Sequence, residues 1–152
     1  MRVSAKADYA VRAALELAAA TPDSPLKGEQ VALAQSIPLR FLENILSELR
    51  AAGIVQSRRG ADGGYWLARP ADDVTIAEVI RAVDGPLATV RGEAPDQLAY
   101  EGLAEPLRDV WVALRAKVRS VLESVTLADI AANQLPEPVH SLATHPEATA
   151  PR

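Results

Sequence analysis

The chain has 152 residues, 49% of them apolar, with a net charge of −4 and no cysteine. This length buries one hydrophobic core with an appended element. The missing thiols exclude disulfides and any thiolate-ligated zinc or iron–sulfur site. Charge is uneven: residues 1–70 carry nine Lys/Arg against seven Asp/Glu, and residues 71–152 carry seven against thirteen. A basic half joined to an acidic half is compatible with one DNA-facing module and one solvating or regulatory module. Few aromatics and abundant Ala and Leu favour helices. No basic-plus-apolar leader and no bilayer-length apolar run appear, so a soluble, cytoplasmic protein is expected.

A first helix is predicted from about Ala5 to Ala20, with Val11, Ala14, Leu15 and Ala18 on one face, Ser4 as N-cap, and Pro22 and Pro25 as terminators. A short helix follows over Gly28–Gln35. Pro38–Ala51 is strongly amphipathic: Leu42, Ile45, Leu46 and Leu49 form an apolar stripe, and Arg40, Glu43, Asn44 and Ser47 a polar one. Gly53 stands where a helix end favours positive φ. Ile54–Ser57 and Tyr65–Leu67 read as strands, joined through Asp62-Gly63 as a hairpin signal. Asp72–Asp84 reads as a helix with a Thr75/Glu78 capping box. Residues 86–105 lack periodicity and read as loop. Pro106 to about Ser124 is the longest helix, with Leu107, Trp111, Leu114, Val118, Val121 and Val125 as an a/d seam for a dimer. Thr126 and Asp129 suggest another capping box and a last short helix ending near Pro136. Residues 136–152 look disordered.

The order helix, helix, turn, helix, hairpin is a winged helix-turn-helix. The predicted fold is therefore mainly α with a small β-hairpin wing and a long dimerisation helix. A helix entering the major groove needs one face packed on its domain and another bearing hydrogen-bonding side chains. Pro38–Ala51 has both: Arg40 suits guanine or phosphate, Asn44 adenine, and Glu43 the cytosine amino group, while Ser47 and Arg50 suit phosphate. Arg58 and Arg59 beside Gly60 place guanidinium forks on the wing, where a narrow minor groove attracts arginine. Arg2 and Lys6 flank the first helix's start and add phosphate contacts. The alternative is a protein-interaction module of the same fold. No nucleophile-elbow or phosphate-loop motif points to an enzyme.

Met1–Val11, Ile37–Glu43, Leu49–Val55, Arg59–Tyr65, Thr75–Ile80 and Thr126–Asp129 together resemble the family of small regulators that includes IscR, NsrR and CymR. The resemblance runs from Met1 to about Asn133. It implies a homodimer held by the long helix, reading a palindromic operator in double-stranded DNA, with repression as the commoner mode. It also implies DNA contacts at Ser4, Arg40, Phe41, Glu43, Asn44, Arg50, Arg59 and Gly60. Cluster-binding members place three cysteines before the long helix; here Leu87–Glu105 has none. Asp8 matches the acidic ligand position of one branch, and Arg12 stands where a histidine ligand occurs. No cluster, cofactor or metal is therefore expected, and Asp8 should be a surface or first-turn carboxylate.

What is sensed instead is left open between a small molecule near residues 86–105, a partner protein, and nothing, with regulation by protein level. Leu87, Leu98, Tyr100, Leu103 and Trp111 are a candidate effector pocket, although Trp111 suits dimer core better. His140 and His145 lie in the tail, too unorganised to hold a metal. The expected organisation is a winged domain over 1–84, a cysteine-free sensor loop over 85–105, a dimerisation helix and short terminal helix over 106–135, and a tail over 136–152.

Overall fold

The structure is a computed structural model describing residues 1–151. Helix α1 (Ala5–Leu17) is capped by Ser4, whose Oγ accepts from the Ala7 N–H at 2.9 Å. Its buried face is Ala7, Ala10, Ala13, Ala14 and Leu17. These small residues let other helices approach closely. The helix ends three residues before Ala20 because Pro22 disfavours helical backbone just before it. Thr21 and Ser24 then exchange backbone hydrogen bonds across a tight turn.

Helix α2 (Gly28–Gln35) ends at Ser36, in left-handed conformation with φ 53°. Helix α3 (Leu39–Ala51) follows from Pro38. Leu42, Ile45, Leu46 and Leu49 are all fully buried, each contributing about 1.5–3 kcal/mol of apolar transfer free energy. Gly53 has φ 76°, and the Ile54 N–H closes back on the Leu49 carbonyl at 3.0 Å. Only glycine adopts this left-handed exit without strain.

The wing is an antiparallel hairpin of β1 (Val55–Arg58) and β2 (Gly64–Leu67), with Val55 opposite Leu67 and Arg58 opposite Gly64. Leu26 and Tyr65 exchange two backbone hydrogen bonds, which tie the approach to α2 onto β2. Asp62-Gly63 does join the two strands of a hairpin, but not as the turn's two central residues. The connection spans 59–63, and the Gly63 N–H bonds the Gly60 carbonyl at 3.0 Å, so Ala61 and Asp62 occupy the turn's centre. Gly63 is required by crowding: an added Cβ would sit 2.0 Å from the Arg58 carbonyl oxygen.

Helix α4 (Ile76–Asp84) starts at Thr75, later than Asp72, because Ala71–Asp73 is a separate 3₁₀ turn and Val74 is extended. The Thr75/Glu78 capping box forms. So does the Thr126/Asp129 box, at the start of α6 (Leu127–Ala131). The two boxes stand side by side: the Ile76 N–H reaches the Val125 carbonyl and the Leu127 N–H reaches the Val74 carbonyl. Leu127 is fully buried in the core that holds α1, α3 and α4. The boundary drawn after Asp84 is therefore not a boundary of packing.

Helix α5 (Leu107–Leu122) has no fully buried residue. Leu107, Trp111, Leu114, Val118 and Val121 are half-buried. Two members of the expected seam face their own chain: Val118 packs against the core, and Val125 is buried in it. Continuing the seam to Val125 is corrected, since the chain turns at Val125 to pair with α4. The tail is corrected too: α7 (Glu137–Thr144) is helical, with Val139 packed on the core. Arg152 lies outside the described residues.

Candidate DNA-binding interface

Helix α3 turns its buried face inward and leaves Arg40, Glu43, Asn44, Ser47 and Arg50 exposed. Phe41 is part-exposed and meets Tyr9 of α1 edge-to-face, at 5.6 Å between centroids. Arg12 lies 4.8 Å over the Tyr9 ring, donates to the Gln35 carbonyl at 2.7 Å and pairs with Asp8 at 2.9 Å. Phe41 is thus half packing residue, half surface.

Between α3 and the wing lies a notch of about 350 Å³ whose lining includes Lys27, Glu43, Arg50, Arg58, Arg59 and Gly60. The fold thereby gathers Glu43 and Arg50 from the helix with three of the sequence-predicted wing residues. Arg40 and Arg59 make no hydrogen bond or ion pair among the described residues, so both guanidinium groups are unengaged. Arg50 donates to the Ser57 hydroxyl at 3.1 Å, joining α3 to β1.

Three of the expected contacts have other duties. Arg58 donates to the carbonyls of Pro22 and Asp62 and lies 5.8 Å over the Trp66 ring. It braces the wing from within. Lys6 pairs with Glu48 at 2.8 Å, linking α1 to α3. Ser4 caps α1 and donates to the Asp84 carboxylate at the end of α4. Arg2 lies near that junction, lining a cleft that also includes Asp84, and is apart from the notch. Lys27 was missed by the sequence reading. Its ammonium donates to the Gly60 carbonyl at 2.9 Å and fixes the wing tip against α2. A basic residue at a helix start facing a glycine-rich hairpin was the available signal.

Behind the interface, burial pushes the Glu78 carboxyl up. The Thr75 N–H and the Arg69 guanidinium at 2.9 Å outweigh it and hold the acid below its ordinary range. Glu123 is also held low, by hydrogen bonds from Arg81 and Arg119. The Arg81 bond ties α4 to the end of α5, while the Arg119 bond runs along α5 itself.

Of the expected effector-pocket residues, Leu87 lines the cleft beside the start of α1, and Leu98, Tyr100, Leu103 and Trp111 do not line it. Leu87 and Leu98 are buried, Tyr100 and Trp111 are half-buried, and Leu103 is fully exposed. Leu98 and Pro95 fill the space beside α5 themselves. Asp96 accepts from Arg115 at 3.1 Å, and its carbonyl accepts from Arg108, so this segment is stapled to α5.

A helix-turn-helix with a cationic wing defines the class of DNA-binding regulators. The Rrf2 family, described as "Iron-dependent Transcriptional regulator", matches residues 3–133. Rv1287 of Mycobacterium tuberculosis is 52% identical over 143 residues, covering 94% of this chain and 89% of that protein. The HTH-type transcriptional regulator CymR of Bacillus subtilis is 34% identical, covering 86% and 90%. The solved structure of B. subtilis CymR, the global cysteine regulator, superposes with TM-score 0.74 at 31% identity, over 88% of this chain and 98% of that one. T. potens IscR superposes with TM-score 0.70 at 32% identity, over 88% of each chain. The chain belongs to the Rrf2 family of transcriptional regulators. It is a DNA-binding regulator of transcription, from a family that is not enzymatic.

The family's iron does not fit this chain as an iron–sulfur cluster. There is no cysteine. Among the described residues no group of three His, Cys, Asp or Glu could hold a metal ion. Asp8 is ion-paired with Arg12, and one carboxylate cannot hold a cluster. Among the described residues no helix is long and apolar enough to cross a membrane.

Proposed function

We propose that the protein is a cytoplasmic homodimeric repressor that inserts α3 into successive major grooves of a palindromic operator. The observation that carries this reading is the exposed stripe of Arg40, Glu43, Asn44 and Ser47 beside a wing whose Arg59 is unengaged. Arg40, Glu43 and Asn44 read base edges. Arg50, Arg59 and Lys27 take phosphate, with Gly60 giving the backbone close approach at the wing tip. Arg58 acts as a brace. Arg2, Ser4 and Lys6 flank the approach of the first helix.

The dimer face is the outward stripe of α5. Leu107, Val110, Leu114 and Val121 recur at spacings of three, four and seven, so they share one side of the helix. Val110 is 55% exposed, and Leu107, Leu114 and Val121 are only half-buried among the described residues. A second copy covers this stripe and sets two α3 helices about one helical turn of DNA apart. The winged module over 1–84, the segment 85–105 and the helix over 106–135 are the parts of this device.

The deciding measurement is operator affinity for Arg40→Ala and Arg59→Ala across a salt series, on a sequence selected from genomic fragments. Arg59→Ala should weaken binding on all sequences alike and lower the salt slope by about one. Arg40→Ala should relax specificity at one base pair, costing about 1–3 kcal/mol. Wild-type affinity and slope for both variants would remove α3 and the wing from the DNA.

A further inference from the structure

A cleft of about 500 Å³ lies away from the α3–wing notch, where the start of α1, the end of α4 and α5 meet. Its size falls within the roughly 300–1,000 Å³ range of small-molecule sites. Ile80, Leu87, Val118 and Leu122 make its apolar wall, and Leu87 and Ile80 are nearly inaccessible to water. The turn that shapes one side passes through Gly85 at φ 80° and Ala88 at φ 49°. A non-glycine residue held in the left-handed region fixes that wall against the chain's ordinary preference.

Polar groups are few. Arg2 lines the cleft and has no hydrogen-bond or ion-pair partner among the described residues. Asp84, the acid in the lining, already accepts from the Ser4 hydroxyl. Among the described residues Arg2 is thus the one cationic side chain in the lining, and its guanidinium is unengaged.

An apolar trough with one unengaged guanidinium at its lip selects an amphipathic anion. We infer that this cleft binds a small monocarboxylate with an apolar chain. The carboxylate takes the Arg2 fork, and the chain lies against Ile80, Leu87, Val118 and Leu122. A bidentate guanidinium–carboxylate pair supplies orientation as well as attraction. Asp84 selects against dianions by repulsion.

The site touches the cap of α1, because Ser4 both caps that helix and bonds Asp84. A ligand that occupies Arg2 withdraws it from phosphate. Ligand and operator therefore oppose each other, and linkage makes the opposition reciprocal. This coupling rests on the operator reading above; ligand binding does not.

The test is calorimetry on the full chain without DNA, using octanoate, octylamine and 1-octanol as probes. Octanoate should bind saturably, one per chain, at least tenfold more tightly than the amine or the alcohol. Arg2→Ala should weaken octanoate about tenfold or more, the loss expected for one charge-assisted hydrogen-bonded pair. Leu87→Trp should fill the trough and abolish binding. Arg2→Glu, at an exposed position that leaves the core intact, should abolish it as well. Equal affinity for octanoate and octylamine, no saturation, or an unchanged Arg2→Ala would overturn the site. Operator titrations with octanoate then read the coupling: weaker DNA binding in the wild type and no effect in Leu87→Trp. If octanoate binds but operator affinity is unmoved, the coupling fails and the site stands. If no operator is bound at all, the function proposed above fails and the calorimetry is untouched.

Discussion

The winged half and the long helix use apolar residues in opposite ways. In the first half Leu17, Leu42, Ile45, Leu46 and Leu49 are fully buried in a core closed by α1, α3 and α4. Helix α5 has a comparable supply of Leu, Val and Trp, yet no residue on it is fully buried, and Val110 and Val112 stand exposed. The first region is complete within one chain. The second is complete only in part, held to α4 by the Arg81–Glu123 pair and to its own loop by Asp96. A module that must present one fixed face to DNA needs a finished core. A helix that must meet another copy needs an unfinished surface.

Charge placed on that unfinished surface should have the largest effect. Leu114→Glu is expected to bury an unpaired carboxylate at the dimer face, giving monomer in sedimentation and an operator affinity lower by two or more orders of magnitude, since both half-sites must be held together. A retained dimer would break the comparison by moving the interface off α5. Leu49→Ala sharpens the contrast from the other side. It should cost about 2–5 kcal/mol in denaturant unfolding, whereas Val110→Ala should cost under about 0.5 kcal/mol in the isolated chain. Similar losses at both positions would mean α5 belongs to the same finished core.

Smaller effects test the links between the two regions. The Glu78 carboxyl is lower in the folded chain than its ordinary value, so its contribution is present above the unfolded pKa and is lost as pH falls through the folded one. Acidification below about pH 4.5 should therefore remove about 1 kcal/mol or less, allowing for solvent screening. Glu78→Gln keeps the capping geometry and should flatten that part of the melting curve against pH. Glu123 is lowered as well, so Glu123→Gln should lessen the acid sensitivity of the α4–α5 link, read by hydrogen exchange along α5. The smallest expected change is none. Treatment with an iron chelator should leave operator affinity within about twofold, because the segment 85–105 is held by Pro95, Leu98 and the Asp96–Arg115 pair. A larger loss would mean that a metal organises it.

Local rules carried the reading wherever a residue's role depends on near neighbours. Both capping boxes, the Gly53 exit and the apolar stripe of α3 needed only spacing and chain geometry, and all are present. Long-range pairings escaped. Nothing near Arg58 in sequence shows that it reaches Pro22, or that Lys27 holds Gly60. Val125 fits a heptad as well as it fits the core, and what decides between them is its backbone bond to Ile76, 49 positions away. The tail's Pro- and Thr-rich composition hides a helix because Val139 finds apolar cover that composition cannot report.

By itself the sequence determined the winged helix-turn-helix, its polar recognition stripe and the lack of thiolates, since period, caps and residue chemistry act within a few positions of each other. Tertiary structure decided which cations stay unengaged, which face of α5 is left open, and that Arg2 and Leu87 meet across a cleft. Those outcomes depend on elements brought together across as many as 85 positions, as Arg2 and Leu87 are, and hydrophobic burial, having no direction of its own, leaves such pairings to the packed chain.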